Sequence, residues 1–383
     1  MDRAEEIENK PISKPKKRRE QRYLDYSLLV IIFTLVVFGL VMLYSTSSYS
    51  GQEKFGDAAY FLKKQLTAVG LGVAALVAIT LIPYRFWERV SLYFYIFAFI
   101  LCALVPFIGV EINYSKRWLQ LGGVSVQPSE IAKVAAIVFF AAVLSRASKS
   151  LGSLKKTIIV FLMSLPVIGI VAVSNLSTAI IIAGIVFVMM FVASPKYWHY
   201  ILILALIMAA ALLVIYLATK EGAQGSYRFE RVQVWLDPEN HEKGYQTLQG
   251  LYAIGSGGVF GKGLGESMQK LGYIPEAQND MIFSIICEEL GLFGAVCVIL
   301  LFLLMLWRFM MIASNATDLF GSLLVIGIMA HISLQVILNI AVVTNTIPNT
   351  GITLPFISYG GTSVSILLGE MGIALSVSRI RLT

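Results

Sequence analysis

Ten separate stretches of this chain are apolar for long enough to cross a bilayer, and that repeated pattern restricts the fold more than any other feature. A span needs roughly 20 predominantly apolar residues. The stretches run over Leu24–Tyr44, Gln65–Leu81, Val90–Val110, Ser129–Leu144 and Thr157–Val173, then Leu176–Ala193, Tyr200–Thr219, Met281–Trp307, Leu319–Val343 and Phe356–Val377. In lipid every backbone polar group must be satisfied within the protein, so such stretches are helices. The expected fold is an all-α integral membrane protein with about ten transmembrane helices. Thr157 to Pro195 is too long for one helix, and Ser174-Asn175 is its natural break. Pro166 is expected to kink the fifth span. Composition agrees: the chain is 57% hydrophobic and 14% charged, whereas a soluble domain carries about a quarter charged residues.

The net charge of +7 does not signal nucleic-acid binding, because of where the charge lies. Eight of the 30 Lys and Arg fall within the first 22 residues, around Lys14-Pro15-Lys16-Lys17-Arg18-Arg19. A basic run beside a first span holds it on the cytoplasmic side and touches anionic lipid. The stretch after Tyr26 is a full span without a small-residue cleavage site, so it reads as retained rather than as a signal peptide. With the N-terminus inside, 18 of the 30 basic residues lie on the cytoplasmic side, among them Arg85, Arg89, Arg146, Lys149, Lys155, Lys156, Lys196, Arg308, Arg379 and Arg381. Both termini are then cytoplasmic. The organisation expected is a basic tail over 1–23 and one membrane domain over 24–383, with a large extracytoplasmic loop over 220–280 between the seventh and eighth spans. That loop holds 11 of the 31 glycines yet keeps aromatic and aliphatic residues throughout, so it is expected to be ordered. The cysteines Cys102, Cys287 and Cys297 are three and all lie in apolar stretches, so they read as buried small side chains.

Ionisable residues in or at the outer ends of spans are functional candidates, because lipid burial of charge is costly. They are Glu130, Lys133, Asp280, Glu288, Glu289 and Glu370. Glu130 and Lys133 share a helix face and form either a structural ion pair or part of a site. Asp280 opens the eighth span, where it caps the helix, acts chemically, or does both. Glu288 and Glu289 either fix helix packing or contact substrate. His331 is a lone histidine on an apolar face and reads as a satisfied interior residue. The run Gly255-Ser256-Gly257-Gly258-Val259-Phe260-Gly261-Lys262-Gly263-Leu264-Gly265 fails both the phosphate-loop and dinucleotide patterns. It is either a set of turns or a row of backbone N–H groups for a lipid diphosphate. Pro348, Pro355 and Ser358-Tyr359-Gly360-Gly361-Thr362-Ser363 break the start of the tenth span. Non-helical backbone at that depth belongs beside protein or a wet cavity.

Several of these segments carry a resemblance. Lys116-Arg117-Trp118-Leu119 precedes Gln127-Pro128-Ser129-Glu130-Ile131-Ala132-Lys133. Gly244-Tyr245-Gln246 and Gln249-Gly250-Leu251-Tyr252-Ala253-Ile254-Gly255-Ser256-Gly257-Gly258 follow. Then come Gln269-Lys270-Leu271-Gly272-Tyr273-Ile274-Pro275-Glu276-Ala277-Gln278-Asn279-Asp280, Glu288-Glu289-Leu290-Gly291, Pro348-Asn349-Thr350-Gly351 and Leu354-Pro355-Phe356-Ile357-Ser358-Tyr359-Gly360-Gly361. In order and spacing the chain resembles the SEDS family (shape, elongation, division and sporulation) of membrane peptidoglycan glycosyltransferases. Its wording is nearer the division and sporulation branches than the elongation branch. Val173-Ser174-Asn175-Leu176 and Gln278-Asn279 depart from the family's usual Gln-Pro-Asp-Leu and His-Thr.

The resemblance implies a polymerase at the bacterial plasma membrane, with a role in division as the reading to which its wording leans. Its substrate would be lipid II, a disaccharide-peptide on undecaprenyl diphosphate, extended into a nascent glycan strand. It implies Asp280 as the essential acid, read here as general base for the acceptor 4-hydroxyl. It places Trp118, Arg117, Glu130, Lys133, Lys270, Glu288 and Ser358, all within its motifs, in the substrate-binding set. Trp118 would stack on sugar or anchor at the interface. Lys133, Arg117 or a divalent cation, Mg or Mn, would balance the leaving diphosphate. A class B penicillin-binding transpeptidase and other division-complex membrane proteins are the implied partners. Two rival functions fit the same spans: a lipid II flippase or transporter, and a non-catalytic scaffold for a transpeptidase.

Overall fold

Each expected span is a helix in the computed structural model, which describes residues 20–22, 24–112, 115–121, 124–148, 153–218 and 227–382. The basic tail before residue 20, Lys149 and the start of the long loop at 219–226 lie outside the described residues. The first six helices are α1 (Tyr26–Phe55), α2 (Tyr60–Leu81), α3 (Arg85–Ile108), α4 (Pro128–Ala147), α5 (Leu154–Ser174) and α6 (Leu176–Ala193). They are followed by α7 (Trp198–Ala218), α8 (Tyr227–Leu236), α9 (Tyr245–Ser256), α10 (Ile282–Ser314), α11 (Leu319–Val343) and α12 (Thr362–Ser378). Among the described residues, eight helices are long and apolar enough to cross a membrane, and α7 and the shorter α12 stand where the other two spans were expected.

Local chemistry sets the helix ends. Asp25, Asn175 and Asp318 cap α1, α6 and α11 by accepting the backbone N–H of Leu28, Thr178 and Gly321. Pro128 opens α4, where its missing N–H costs nothing. The tenth span begins later than its apolar run: the helix starts at Thr362, not Phe356. Pro355, the left-handed Phe356 (φ 64°) and Gly360-Gly361 keep 356–361 out of the helix.

Helix counting alone misses two small sheets. The segment before α4 folds as β2 (Val110–Ile112), β3 (Ser115–Leu121) and β4 (Val124–Val126), antiparallel in the order β2-β3-β4. Near the chain ends, β1 (Glu20–Arg22) pairs antiparallel with β5 (Ile380–Leu382). This pairing puts both ends of the membrane domain at one end of the bundle. Asp25 is fully buried there and takes a 2.6 Å ion pair from Arg308.

The centre is α4, buried along nearly its whole length and packed on α3, α6 and α11. Ala132, Ala135, Ala136, Ala141 and Ala142 let its neighbours approach closely, which is how helices associate in lipid. α12 lies mainly along α2, and α7 carries exposed aliphatic side chains such as Leu202, Leu206 and Leu213, as a lipid-facing helix does. The opposite end of the bundle, away from the chain ends, gathers the start of α4, the start of α10, the segment 344–361 and the loop between α7 and α10. That loop is ordered over its described part, carrying α8, a 3₁₀ turn at Glu242–Gly244 and α9.

Candidate active site

At this loop end three interior segments converge on Asp280. Asn339 of α11 donates its Nδ2 to the Asp280 carbonyl at 2.8 Å and to the Ile352 carbonyl at 2.7 Å. Tyr359 N–H donates to the Gln278 carbonyl at 2.9 Å. A side chain at Gly351 would begin 3.8 Å from Asp280 Oδ2, so that glycine forms one wall around the carboxyl. α8 closes another side: Arg231 donates to the Asn349 carbonyl at 3.1 Å and Trp235 to the Asn345 carbonyl at 2.9 Å. Glu276, Asn345 and Phe356 are the positive-φ residues other than glycine among the described residues, and all three lie in these segments. Backbone strain of this kind persists where the surroundings over-determine it, and it concentrates at functional sites.

Asp280 does not cap α10. Met281 occupies the cap position with no side-chain hydrogen bond, which leaves the aspartate carboxyl for other work. Asp280 keeps part of its surface accessible, yet the surrounding protein desolvates it and pushes its pKa up to about 6. Its own N–H and Arg231 pull the value down, and Glu276 pushes it further up. Around it, Gln278 Oε1, Asn279 Oδ1, Ser284 Oγ, Asn339 Oδ1 and Thr350 Oγ1 are buried without a hydrogen-bond partner in the protein. Buried polar atoms are costly when unmatched, so this is a region built to receive polar groups.

The other expected site residues divide. Lys133 makes a buried 2.9 Å ion pair with Glu130, whose other oxygen accepts from Ser363 at 2.9 Å. Lys133 also donates to Gln335 Oε1 at 3.1 Å. Both belong to the interior just below the loop end. Arg117 and Trp118 sit side by side on β3, half-buried, with Arg117 donating to the Ser174 carbonyl at 3.3 Å. Ser358 is buried, and its hydroxyl accepts the Leu354 N–H at 2.8 Å, which shapes the turn before α12.

Glu288 and Lys270 make internal bonds. Glu288 is 0% exposed and pairs with Lys262 at 2.6 Å while accepting from Ser267 Oγ and Met268 N. Lys270 is 6% exposed, pairs with Glu289 at 2.7 Å and donates to the Gly265 carbonyl at 2.6 Å. Glu289 also accepts from Ser45 of α1 at 2.7 Å. These two pairs pin the glycine-rich loop to α10 and α1.

Of the two readings of the glycine run, turns or a row of free N–H groups, the contacts of this loop favour the first. Lys262 N–H and Gly263 N–H donate to the carbonyls of Glu288 and Glu289 at 2.9 and 3.0 Å, and Gly261 N–H donates to Gly257. In return Leu292 and Phe293 donate to the carbonyls of Gly258 and Val259 at 2.9 and 3.0 Å. The loop therefore satisfies backbone groups freed where α10 breaks at Gly291, which stands at φ 66°. A Cβ at Gly291 would lie 2.4 Å from Gly261 N, so both strain and contact require glycine. Gly291→Val is expected to cost roughly 2–6 kcal/mol, from left-handed strain plus overpacking. Thermal denaturation in detergent checks it, and an unchanged melting temperature would contradict the packing described.

Between α1, α2 and this loop lies a cavity of about 800 Å³. Leu40, Val41, Tyr44, Leu62, Leu66, Leu264 and Leu271 line it, with Ser45 and Lys270 on one wall. Glu289, which holds Lys270, lies on α10 nine residues after Asp280 in the chain. Arg231, Asn339 and Gln335 were not singled out from the sequence. For the last two a signal existed: His331, Gln335 and Asn339 are polar at four-residue spacing in a helix whose other polar side chains are Ser322 and Ser333.

The comparisons agree with this architecture. The model of the FtsW/RodA/SpoVE family of cell cycle proteins matches residues 26–382. The chain is 39% identical to stage V sporulation protein E of Bacillus subtilis, over 93% of this chain and 97% of that one. It is 36% identical to a probable peptidoglycan glycosyltransferase FtsW of Trichlorobacter lovleyi, over 92% of this chain and 93% of that one. Its fold matches a solved chain described under structural coordination of polymerization and crosslinking by a peptidoglycan synthase complex. That match has a TM-score of 0.78 and 28% identity, covering 93% of this chain and 98% of that one. A family match running through every helix, with full-length relatives and the same fold, places this multi-pass membrane protein in the FtsW/RodA/SpoVE family, which is the SEDS family.

Proposed function

We propose that this chain is a peptidoglycan glycosyltransferase that polymerises lipid II, with Asp280 as the general base. The glycosyltransferase class rests on the family and on relatives named for that activity. The carboxyl of Asp280 carries the finer reading: it is uncapped, partly accessible, and walled by Gly351, Arg231 and unpartnered buried oxygens.

In the step proposed, the 4-hydroxyl of lipid II attacks the anomeric carbon of the glycan held on undecaprenyl diphosphate. A carbon–oxygen bond forms there, the bond to the diphosphate oxygen breaks, and the hydroxyl proton passes to Asp280. The sugar–diphosphate bond is already activated, so no nucleotide is consumed. Charge on the departing diphosphate needs a cation. Arg231 is close enough to lower the Asp280 pKa and joins Lys133 and Arg117 as a candidate. A divalent ion, Mg or Mn, also fits. Glu276, which lies close enough to act electrostatically on Asp280, would help hold such an ion, and the ion would supply positive charge for the diphosphate.

The apolar cavity between α1, α2 and the 264–271 loop is the proposed berth for the prenyl chain. Its walls suit hydrocarbon, and its polar edge at Ser45 and Lys270 faces the loop end. Glu288 and Lys270 are assigned the role of holding that wall rather than binding sugar. Trp118 on β3 remains the proposed sugar-stacking residue, and Ser358 shapes the turn beside Gln278. The loop end is taken as extracytoplasmic and the paired chain ends as cytoplasmic, as the basic residues imply. A crosslinking transpeptidase of the class B penicillin-binding type is the proposed partner, with a role in division.

The test is polymerisation of lipid II by the purified full chain in detergent, alone and with a candidate transpeptidase, read as glycan length on gels. Glycan made by the chain and lost on Asp280→Asn supports the reading. Translocation of lipid II across vesicles without any glycan would replace it with transport.

A further inference from the structure

His331 takes no part in the transfer described above, yet both of its ring nitrogens are engaged at 1% exposure in the middle of α11. Nε2 faces Gln335 Oε1 at 2.9 Å, and Nδ1 faces the two Glu370 oxygens at 2.9 and 3.0 Å. Gln335 Nε2 donates to the Thr353 carbonyl at 3.0 Å, which fixes the amide so that Oε1 meets both His331 and Lys133. An amide oxygen only accepts, so His331 Nε2 carries a hydrogen. At Nδ1 an imidazole nitrogen meets a carboxylate, and that contact requires one further proton. Whether the proton sits on the ring or on Glu370, the pair is neutral overall. A lipid-embedded core tolerates that arrangement and not a lone charge.

The pair is coupled to the transfer site on two sides. Gln335 receives Lys133, which holds Glu130 and through it Ser363. The same α11 face carries Asn339 one turn further on, bound to the carbonyls of Asp280 and Ile352. We infer that His331 and Glu370 are positioning residues for the transfer site, locking Gln335 so that it fixes Lys133 Nζ and the Thr353 backbone beneath Asp280. The inference rests on the glycosyl-transfer reading for its effect on turnover, while the hydrogen-bond network stands apart from it.

Two arms test it. Purified His331→Gln and Gln335→Met are assayed for lipid II polymerisation beside their melting temperatures. Folded variants should lose at least about tenfold in kcat, because small misplacements of charged groups are costly. KM should stay within about twofold. The double variant should be no more than about threefold worse than the poorer single, since both break one relay. Folded variants with wild-type kcat, or losses that multiply, overturn the inference. The second arm needs no activity: the chain has 3 histidines, so ¹⁵N-histidine spectra of His199→Gln/His241→Gln report His331 alone. A ring protonated at Nε2, with resonances shifted by Lys133→Met, is expected. A ring with a bare Nε2, or one unmoved by Lys133→Met, overturns the network even where the variants do not fold. Absence of glycan from the wild type would reject the transfer reading and leave this spectrum to judge the network.

Discussion

Asp280→Asn is expected to reduce lipid II polymerisation by about 10²–10⁴-fold, the range lost with a positioned general base. The amide keeps the shape of the carboxyl and cannot take the proton. Folding should survive: removing a desolvated carboxylate favours the folded state at neutral pH, because burial raises its pKa from 3.8 to about 6. Any stability this group lends through its extra proton affinity is present at low pH and fades as pH rises from about 4 to about 6. An inactive variant that melts at or above the wild-type temperature at pH 7 therefore separates chemistry from structure. The wild type carries the complementary signature. The base must be ionised, so kcat/KM should fall about tenfold per pH unit below about 6 and level off above it. A profile flat from pH 5 to pH 7, or an active Asp280→Asn, rejects Asp280 as the base.

Lys270→Met should destabilise the protein by roughly 3–5 kcal/mol, because it strands Glu289 as an uncompensated buried charge. Both partners are nearly inaccessible, at 6% and 0% exposure, and the 2.7 Å pair is completed by Ser45 from α1. Lys270→Met/Glu289→Leu should recover most of that loss, since an apolar pair of similar volume can replace a buried ion pair. Melting temperatures of the single and double variants in one detergent check this. Equal melting of Lys270→Met and wild type would mean that the pair does not hold the loop to α10. Because Lys270 lines the apolar cavity, the double variant also asks whether that wall needs its polar edge.

Much of the candidate site was legible in the sequence as a set of suspect residues, and the limits are physical. Asp280 stood out because it falls at the mouth of an apolar span, where a charge needs a reason. Glu130 and Lys133 were legible as a pair because three residues make less than one helical turn. Glu288 and Glu289 looked equally suspicious, yet their partners Lys262, Lys270 and Ser45 come from a distant loop and from α1. No local pattern reports such pairing. Arg231 was hidden for the same reason: α8 reaches Asp280 only through the fold of the long loop. The glycine run left two readings open because glycine serves anion binding and close backbone packing alike, and only the partners of its N–H groups distinguish them.

By itself the sequence determined where the apolar helices lie, the start of the last one excepted, since lipid accepts only helices with internally satisfied backbones. It also determined the motif order that marks the family. Tertiary structure alone decided which buried charges neutralise one another and which carboxyl is left with unmatched oxygens around it. Electrostatic partnership depends on distance through a low-dielectric interior, and segments hundreds of residues apart in the chain set those distances, as the 283-residue separation of Asp25 and Arg308 illustrates.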